Sequence, residues 1–167
     1  MMSETVTSWL SGRLPDEWFE GAPEVTVDRD EILVVGRLAA PDAGEDARAS
    51  EQGRIARFRE DTRDQRMRIA REAEHHFGRK IAWGATCGET RAVFTSLSVP
   101  VMTRLRQPER RVLDTLVDAG VARSRSEALA WCVRLVGEHT GDWLTALREA
   151  LESVQKVREA GPESAAS

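Results

Sequence analysis

The sequence of 167 residues has few cysteines and no long apolar run, and each absence excludes a class of protein. Cys87 and Cys132 lie far apart and show no CxxC or Cys/His ligand spacing, so neither a disulfide framework nor a zinc site is predicted. No stretch of about 18 apolar residues is present, which argues against a membrane-spanning helix. The first residues, MMSETVTSWLSG, lack the basic and apolar regions of a secretory signal, so we expect a cytoplasmic protein.

Patterns that carry catalysis are also missing. The sequence has no phosphate-binding glycine loop, no nucleophile elbow and no paired carboxylates at catalytic spacing. His75 and His76, at the end of a predicted helix, suit the negative end of the helix dipole better than a metal ion, and His139 has no ligand-spaced partner. We therefore expect no enzyme, no bound metal and no cofactor.

Charge is distributed unevenly along the chain, although the net charge is only −4. Residues 1–78 carry 11 basic and 17 acidic side chains, and residues 137–167 carry 3 basic and 6 acidic ones. Residues 79–136, in contrast, carry 10 basic and 5 acidic side chains. An anionic partner is therefore expected at the middle of the chain, whereas the acidic ends argue against indiscriminate binding to nucleic acid.

The N-terminal part is predicted to be an arm followed by a small β-β-α-β-β unit. Residues 1–23 are predicted to be a loosely structured arm that docks through Trp9, Leu10, Leu14, Trp18 and Phe19. The unit spans residues 24–95, and its predicted elements are a hairpin of strands 25–27 and 32–38, a loop at 39–53, one helix from about 54 to 77, and strands at 80–86 and 91–99. The mixed charges of RFREDTRDQRMR, on that helix, indicate a surface laced with salt bridges.

The segment that follows alternates between apolar and polar side chains. Leu97, Val99, Val101 and Leu105 fall on one face together with Thr103, and Met102, Arg104 and Arg106 fall on the other. This period of two over about ten residues predicts a half-buried strand at 97–106. Pro100 lies on the outward face and cannot donate a hydrogen bond, so strand pairing is expected to begin after it.

Three helices are predicted after this strand, at 108–119, 125–137 and 140–160, with a frayed tail at 161–167. In ARSRSEALAW, at the start of the second helix, Ser124 and Glu127 have the spacing of a capping box. Capping does not explain the neighbouring Arg123 and Arg125. A lone strand followed by two helices leaves strand edges and apolar faces uncovered, so the sequence predicts a dimer with two strands paired antiparallel.

The segment VMTRLRQPERRVLDTLVDAGVARSRSEALAWCVRLV resembles the ribbon-helix-helix family of DNA-binding proteins, the MetJ, Arc and CopG group. The resemblance covers about residues 97–137 and rests mainly on the strand-to-helix joint TRLRQPERRVLDTLV and the helix entry SRSEAL. It implies an α+β protein in which the N-terminal unit is followed by a ribbon-helix-helix dimerisation module, residues 96–139, and a C-terminal helix. It also implies that the homodimer forms through strand 97–106 and helices 108–119 and 125–137.

The resemblance further implies binding to double-stranded DNA, because a paired ribbon fits the major groove and its outward side chains meet base edges. Arg104 suits bidentate pairing with guanine, and Met102 suits a thymine methyl group. The start of the second helix offers backbone N–H groups and a positive dipole end to a phosphate. The residues predicted to bind DNA are Met102, Arg104, Arg106, Arg123, Ser124, Arg125 and Ser126.

Two main functional hypotheses follow from these patterns, and a third, an RNA- or ribosome-associated factor, rests only on the arginine-rich helix. The first is a homodimeric, sequence-specific DNA-binding protein, a transcriptional regulator of bacterial type that is associated with the nucleoid. The alternative is a scaffold that uses the same fold only for dimerisation, favoured by the apolar Met102 and by Pro100 on the outward face and by the acidic ends of the chain. In either case residues 1–95 are candidates for binding another protein.

Overall fold

The computed structural model describes residues 2–42 and 46–161 of the chain. The chain divides into two compact units, with the boundary between Val101 and Met102. Unit 1 contains α1 (Met2–Arg13), β1 (Glu24–Val27), β2 (Glu31–Arg37), α2 (Ala47–Asp61), α3 (Arg63–Phe77), β3 (Lys80–Cys87) and β4 (Thr90–Val93). Unit 2 contains α4 (Gln107–Asp118), α5 (Arg125–His139) and α6 (Gly141–Ala160). The protein is therefore of mixed α+β class. The predicted frayed tail falls, after Gly161, outside the described residues.

The sheet of unit 1 has the strand order β1-β2-β3-β4. The two outer pairs are antiparallel, whereas β2 and β3 run parallel. The β1–β2 turn is held by Asp28, whose Oδ1 accepts hydrogen bonds from the backbone N–H groups of Asp30 and Glu31 at 2.8 Å each. Because parallel neighbours need a crossover, α2 and α3 together connect β2 to β3.

The N-terminal residues differ from the loose arm that the sequence predicts. Residues 2–13 form a helix, α1, in which Val6 and Leu10 are fully buried in the core of unit 1. Trp18 is also buried and makes edge-to-face contacts with Phe58 and Trp83. The prediction of a loose arm was wrong because α1 has only a weak amphipathic pattern and is held by contacts with distant residues.

The single helix predicted from about residue 54 to 77 is two helices that meet at Thr62. The Thr62 hydroxyl donates a hydrogen bond to the Phe58 carbonyl at 2.6 Å, and such a bond to the preceding turn bends a helix. The predicted loop also ends earlier than residue 53. Asp46 caps α2 by accepting a hydrogen bond from the Ala49 N–H at 3.0 Å, so the helix begins at Ala47.

Gly36 in β2 packs under the ring of Phe19. A Cβ at residue 36 would lie 2.0–2.3 Å from three ring carbons of Phe19, whose ring is itself held against Trp18 and Phe58. We expect Gly36→Ala to lower the free energy of unfolding of unit 1 by about 1–3 kcal/mol, as overpacked cores do. Urea denaturation followed by circular dichroism measures the change.

Gly53→Ala is the matched control for Gly36→Ala. Gly53 lies inside α2, and an added Cβ there meets no atom within 4 Å. This substitution should raise stability by about 0.5–1 kcal/mol, because alanine loses less backbone entropy than glycine in a helix. Equal effects of the two substitutions would contradict the packing of Phe19 on Gly36.

Unit 2 has a small core. Leu113, Ala122 and Ala128 are buried, and Leu105, Leu116, Val117, Leu129 and Cys132 pack around them partly exposed. Gly120, with φ at +75°, ends α4 and lets the chain turn towards α5. No residue of α6 is buried. The three helices therefore leave much of their apolar surface in solvent.

The strand predicted at 97–106 is not formed in the single chain. Residues 95–106 adopt neither helix nor strand, and β4 ends at Val93 rather than at residue 99. Of the predicted inward face, Leu105 packs on the core of unit 2, whereas Val101 is 86% exposed. A strand needs a neighbouring strand for its backbone hydrogen bonds, and no strand of the described residues pairs with this segment.

Candidate nucleic-acid interface

The segment before α4 carries the outward residues that the resemblance assigns to base contact. Met102 is 95% exposed, and Arg104 and Arg106 are exposed as well. Neither arginine forms an ion pair within the described residues. The three side chains are thus free in the single chain to meet another molecule.

The start of α5 is built as a capped helix end. Ser124 has extended backbone geometry, and its hydroxyl accepts a hydrogen bond from the Glu127 N–H at 3.2 Å. The Glu127 carboxylate in turn accepts a hydrogen bond from the backbone N–H of Arg123 at 2.7 Å. The reciprocal bond of the capping box therefore reaches residue 123, one position before the cap. Ser126, in the first turn, is exposed.

Arg123 has a partner inside the fold. Its guanidinium donates to both carboxylate oxygens of Glu127, at 3.1 and 3.2 Å, and its side chain remains 92% exposed. Hydrogen bonds from the Arg123 side chain and then from its backbone lower the pKa of Glu127. The ion pair with Glu127 thus gives Arg123 a structural role, which the sequence pattern alone did not indicate.

Arg125 joins two helices. It donates from Nε and Nη2 to the two carboxylate oxygens of Asp114 on α4, at 2.7 and 2.9 Å. This hydrogen bonding lowers the pKa of Asp114 and raises that of Arg125. The pair is exposed, and exposed ion pairs contribute little net stability, so a phosphate is able to compete for the arginine.

The small core of unit 2 brings the two groups of predicted site residues together. Leu105, between Arg104 and Arg106, packs in the same cluster as Ala122, which directly precedes Arg123. The exposed arginines before α4 and those at the start of α5 therefore flank one apolar cluster. Asp114 is the site residue that the sequence analysis missed, and only a contact between helices reveals it.

The described residues form neither a cluster of metal-binding side chains nor a disulfide. The residues there gather no group of three or more His, Cys, Asp or Glu side chains that could hold a metal ion. Both cysteines are free, with Cys87 buried and Cys132 partly buried. Among the same residues, no helix is both long and apolar enough to cross a membrane.

Comparison with known proteins identifies the family. Residues 4–93 match the family described as Rv1265-like protein, N-terminal domain, and residues 106–158 match the one described as Mb1296 C-terminal domain. The chain belongs to this Rv1265-like family. The two matched regions fall in unit 1 and in unit 2, and the segment between them, residues 94–105, includes all of the predicted ribbon except Arg106.

Relatives occur in mycobacteria. The chain is 58% identical over 158 residues to the protein of Mycobacterium bovis named Uncharacterized protein Mb1296, a match that covers 93% of this chain and 69% of the relative. The same figures hold for the proteins of Mycobacterium tuberculosis named Uncharacterized protein MT1303 and Uncharacterized protein Rv1265. No solved structure matches the chain.

Proposed function

We propose that this protein is a homodimeric, sequence-specific DNA-binding protein, a transcriptional regulator that contacts the major groove with a paired β-ribbon. The observation that carries the proposal is the segment before α4. Residues 96–104 make no hydrogen bond within the described chain, and the segment displays Met102 and Arg104 to solvent. On this proposal the protein works in the cytoplasm, on the nucleoid.

Apolar side chains that are exposed in a single copy support the proposed dimer. Val101 is 86% exposed and Val133 65%, and Val112 and Val136 are more than half exposed. Pairing two copies antiparallel along residues 97–106 supplies the missing backbone partners and places the helices of one copy near those of the other. The apolar side chains of α4 and α5 are then covered.

DNA contact is supported by the chemistry of the exposed residues. On a paired ribbon Met102, Arg104 and Arg106 face the groove, where arginine pairs with guanine. At the start of α5, Arg123, Ser124, Arg125 and Ser126 surround a helix end that suits a phosphate. Contacts of this second kind hold the protein in register and carry no sequence preference.

Arg104→Ala and Arg125→Ala are expected to weaken DNA binding in different ways. Loss of Arg104 should cost about 1–3 kcal/mol on the preferred site and relax the sequence preference. Loss of Arg125 should weaken binding to all sequences alike and lower the slope of log K against log salt by about one. Gel shifts and fluorescence anisotropy at several salt concentrations, with DNA fragments that co-purify with the protein, measure both effects.

Two further variants sharpen this test. Asp114→Asn frees Arg125 from its ion pair and should tighten DNA binding if Arg125 contacts a phosphate. Arg148→Ala removes an exposed arginine of α6 outside the proposed interface and should change little. The proposal fails if Arg104→Ala and Arg125→Ala both leave DNA binding at the level of the Arg148→Ala control.

A dimerisation scaffold without DNA binding is the second candidate. It is favoured by the ion pairs that already engage Arg123 and Arg125, and by the apolar Met102 on the outward face. On this alternative, unit 1 binds another protein. A stable dimer that retains no DNA even at low salt would support the scaffold and contradict DNA recognition.

A further inference from the structure

A cleft in unit 1 lies apart from the proposed DNA interface. It has a volume of about 730 Å³ and is bounded by α2, α3, β4 and the two residues that follow β4. RFREDTRDQRMR, which forms much of one wall, has the mixed charges that are typical of a solvated surface laced with salt bridges. The structure instead turns three arginines of this stretch towards the cleft: Arg59, Arg63 and Arg66.

Arg66 is the central feature of the cleft because it is only 6% exposed. Its Nε donates to the Thr62 hydroxyl at 2.9 Å, and its Nη2 donates to the Arg59 carbonyl at 2.6 Å. It pairs with no carboxylate among the described residues. Burial, together with the charges of Arg59 and Arg63, lowers the pKa of Arg66.

The side chains around Arg66 do not neutralise its positive charge. Glu60 is the one acidic residue among those that line the cleft, against three arginines. The ion pair of Arg63, with Asp64, is long at 3.6 Å and exposed. Buried charges in proteins are normally paired, so this arrangement has room for an anion supplied from outside.

The rest of the wall is apolar. Six apolar side chains line the cleft, among them Ile55, Met67 and Val93. The ring of Phe94 lies against the arginines, with its centroid 5.0 Å from the Arg66 guanidinium carbon and 5.6 Å from that of Arg59. Val93 is 46% exposed and Met67 39%, so apolar surface is open to a ligand beside the positive charge.

We propose that this cleft binds a small organic carboxylate with an apolar body. The carboxylate meets Arg66 and Arg63, whose guanidinium donors match its planar oxygens, and the apolar body covers Met67 and Val93. A ligand with a wholly polar body would leave these apolar side chains against polar groups. The proposal does not depend on DNA binding, and it makes unit 1 a ligand-binding unit.

Titration of the full-length protein with straight-chain carboxylates tests the proposal. Butanoate, octanoate and dodecanoate are the probes in isothermal titration calorimetry, with acetate as the anion that lacks a tail and octanol as the tail that lacks a charge. We expect at least one of the longer carboxylates to bind. Acetate and octanol should bind on the order of tenfold or more weakly, because each lacks one of the two contacts.

Variants place the binding in the cleft. Arg63→Gln removes a lining charge at an exposed position and should weaken carboxylate binding on the order of tenfold or more. Arg66→Met should abolish binding, and circular dichroism separates that loss from misfolding, since Arg66 also holds the junction of α2 and α3. Arg57→Gln changes an exposed arginine of α2 that does not line the cleft and should leave binding unchanged.

Three results would overturn the proposal. One is that none of the longer carboxylates binds. Another is that octanol or acetate binds as tightly as the best carboxylate, which would mean that the charge or the apolar body is not recognised. The third is equal binding by Arg63→Gln and Arg57→Gln, which would place the ligand elsewhere on the protein.

Discussion

Val101→Asp is expected to convert the proposed dimer into monomers. Val101 is 86% exposed in the single chain, so the substitution leaves the fold of one copy intact. In the proposed dimer, two copies of Val101 lie between the ribbon and the helices. Loss of their burial costs about 3–6 kcal/mol for the pair. The dissociation constant should then rise on the order of a hundredfold or more, as sedimentation velocity over a range of protein concentrations measures.

Val157→Asp is the matched control for Val101→Asp. Val157 is 72% exposed near the end of α6, outside the proposed dimer helices, and receives the same change of chemistry. It should leave the dimer unchanged. If the Val101→Asp protein has the same dimer dissociation constant as the Val157→Asp protein, the proposed pairing of residues 97–106 is wrong. DNA binding should fall together with the dimer, because a ribbon of one strand presents only half of the recognition surface.

Leu10→Ala is expected to lower the free energy of unfolding of unit 1 by about 2–5 kcal/mol, the range for a leucine removed from a closed core. Leu10 has no exposed surface, and it anchors α1 in the cluster that contains Ile32 and Trp83. Denaturation by urea measures the loss. Native-state hydrogen exchange of the β2 and β3 amides assigns the loss to unit 1.

Leu151→Ala is the control for the core substitution. Leu151 lies on α6 and is 65% exposed, so its truncation creates no cavity in the single chain. We expect a change of about 0.5 kcal/mol or less, as is usual on surfaces. An equally small effect of Leu10→Ala would mean that α1 is the loose arm which its sequence suggests.

The elements that could be predicted from the sequence depend on residues close together in the chain. The β1–β2 hairpin follows from two β-rich runs around Asp28, and the start of α5 follows from Ser124 and Glu127, three residues apart. The helices of unit 2 likewise follow from apolar spacing and from Gly120. For such elements, local backbone preference and the final structure agree.

Features that depend on distant residues were missed. Leu10 was expected to dock an arm, but nothing near it in the sequence indicates full burial in a cluster with Ile32 and Trp83, which lie more than 20 residues further along the chain. Arg125 finds Asp114 across a helix pair, 11 residues away, so the sequence could not separate a structural arginine from a phosphate-binding one. The cleft likewise needs Phe94 beside Arg66 before its charge stands out among surface arginines.

The sequence by itself determined the class of fold and the division into an acidic N-terminal part and a basic middle, whereas the ribbon at 97–106 stays a prediction. Composition, charge and periodicity are properties of the chain before it folds. Only the tertiary structure decided that α1 belongs to the core, that Arg66 is buried and that Arg125 has a partner on α4. Burial and this ion pair depend on which distant residues become neighbours, and that is decided only when each unit folds.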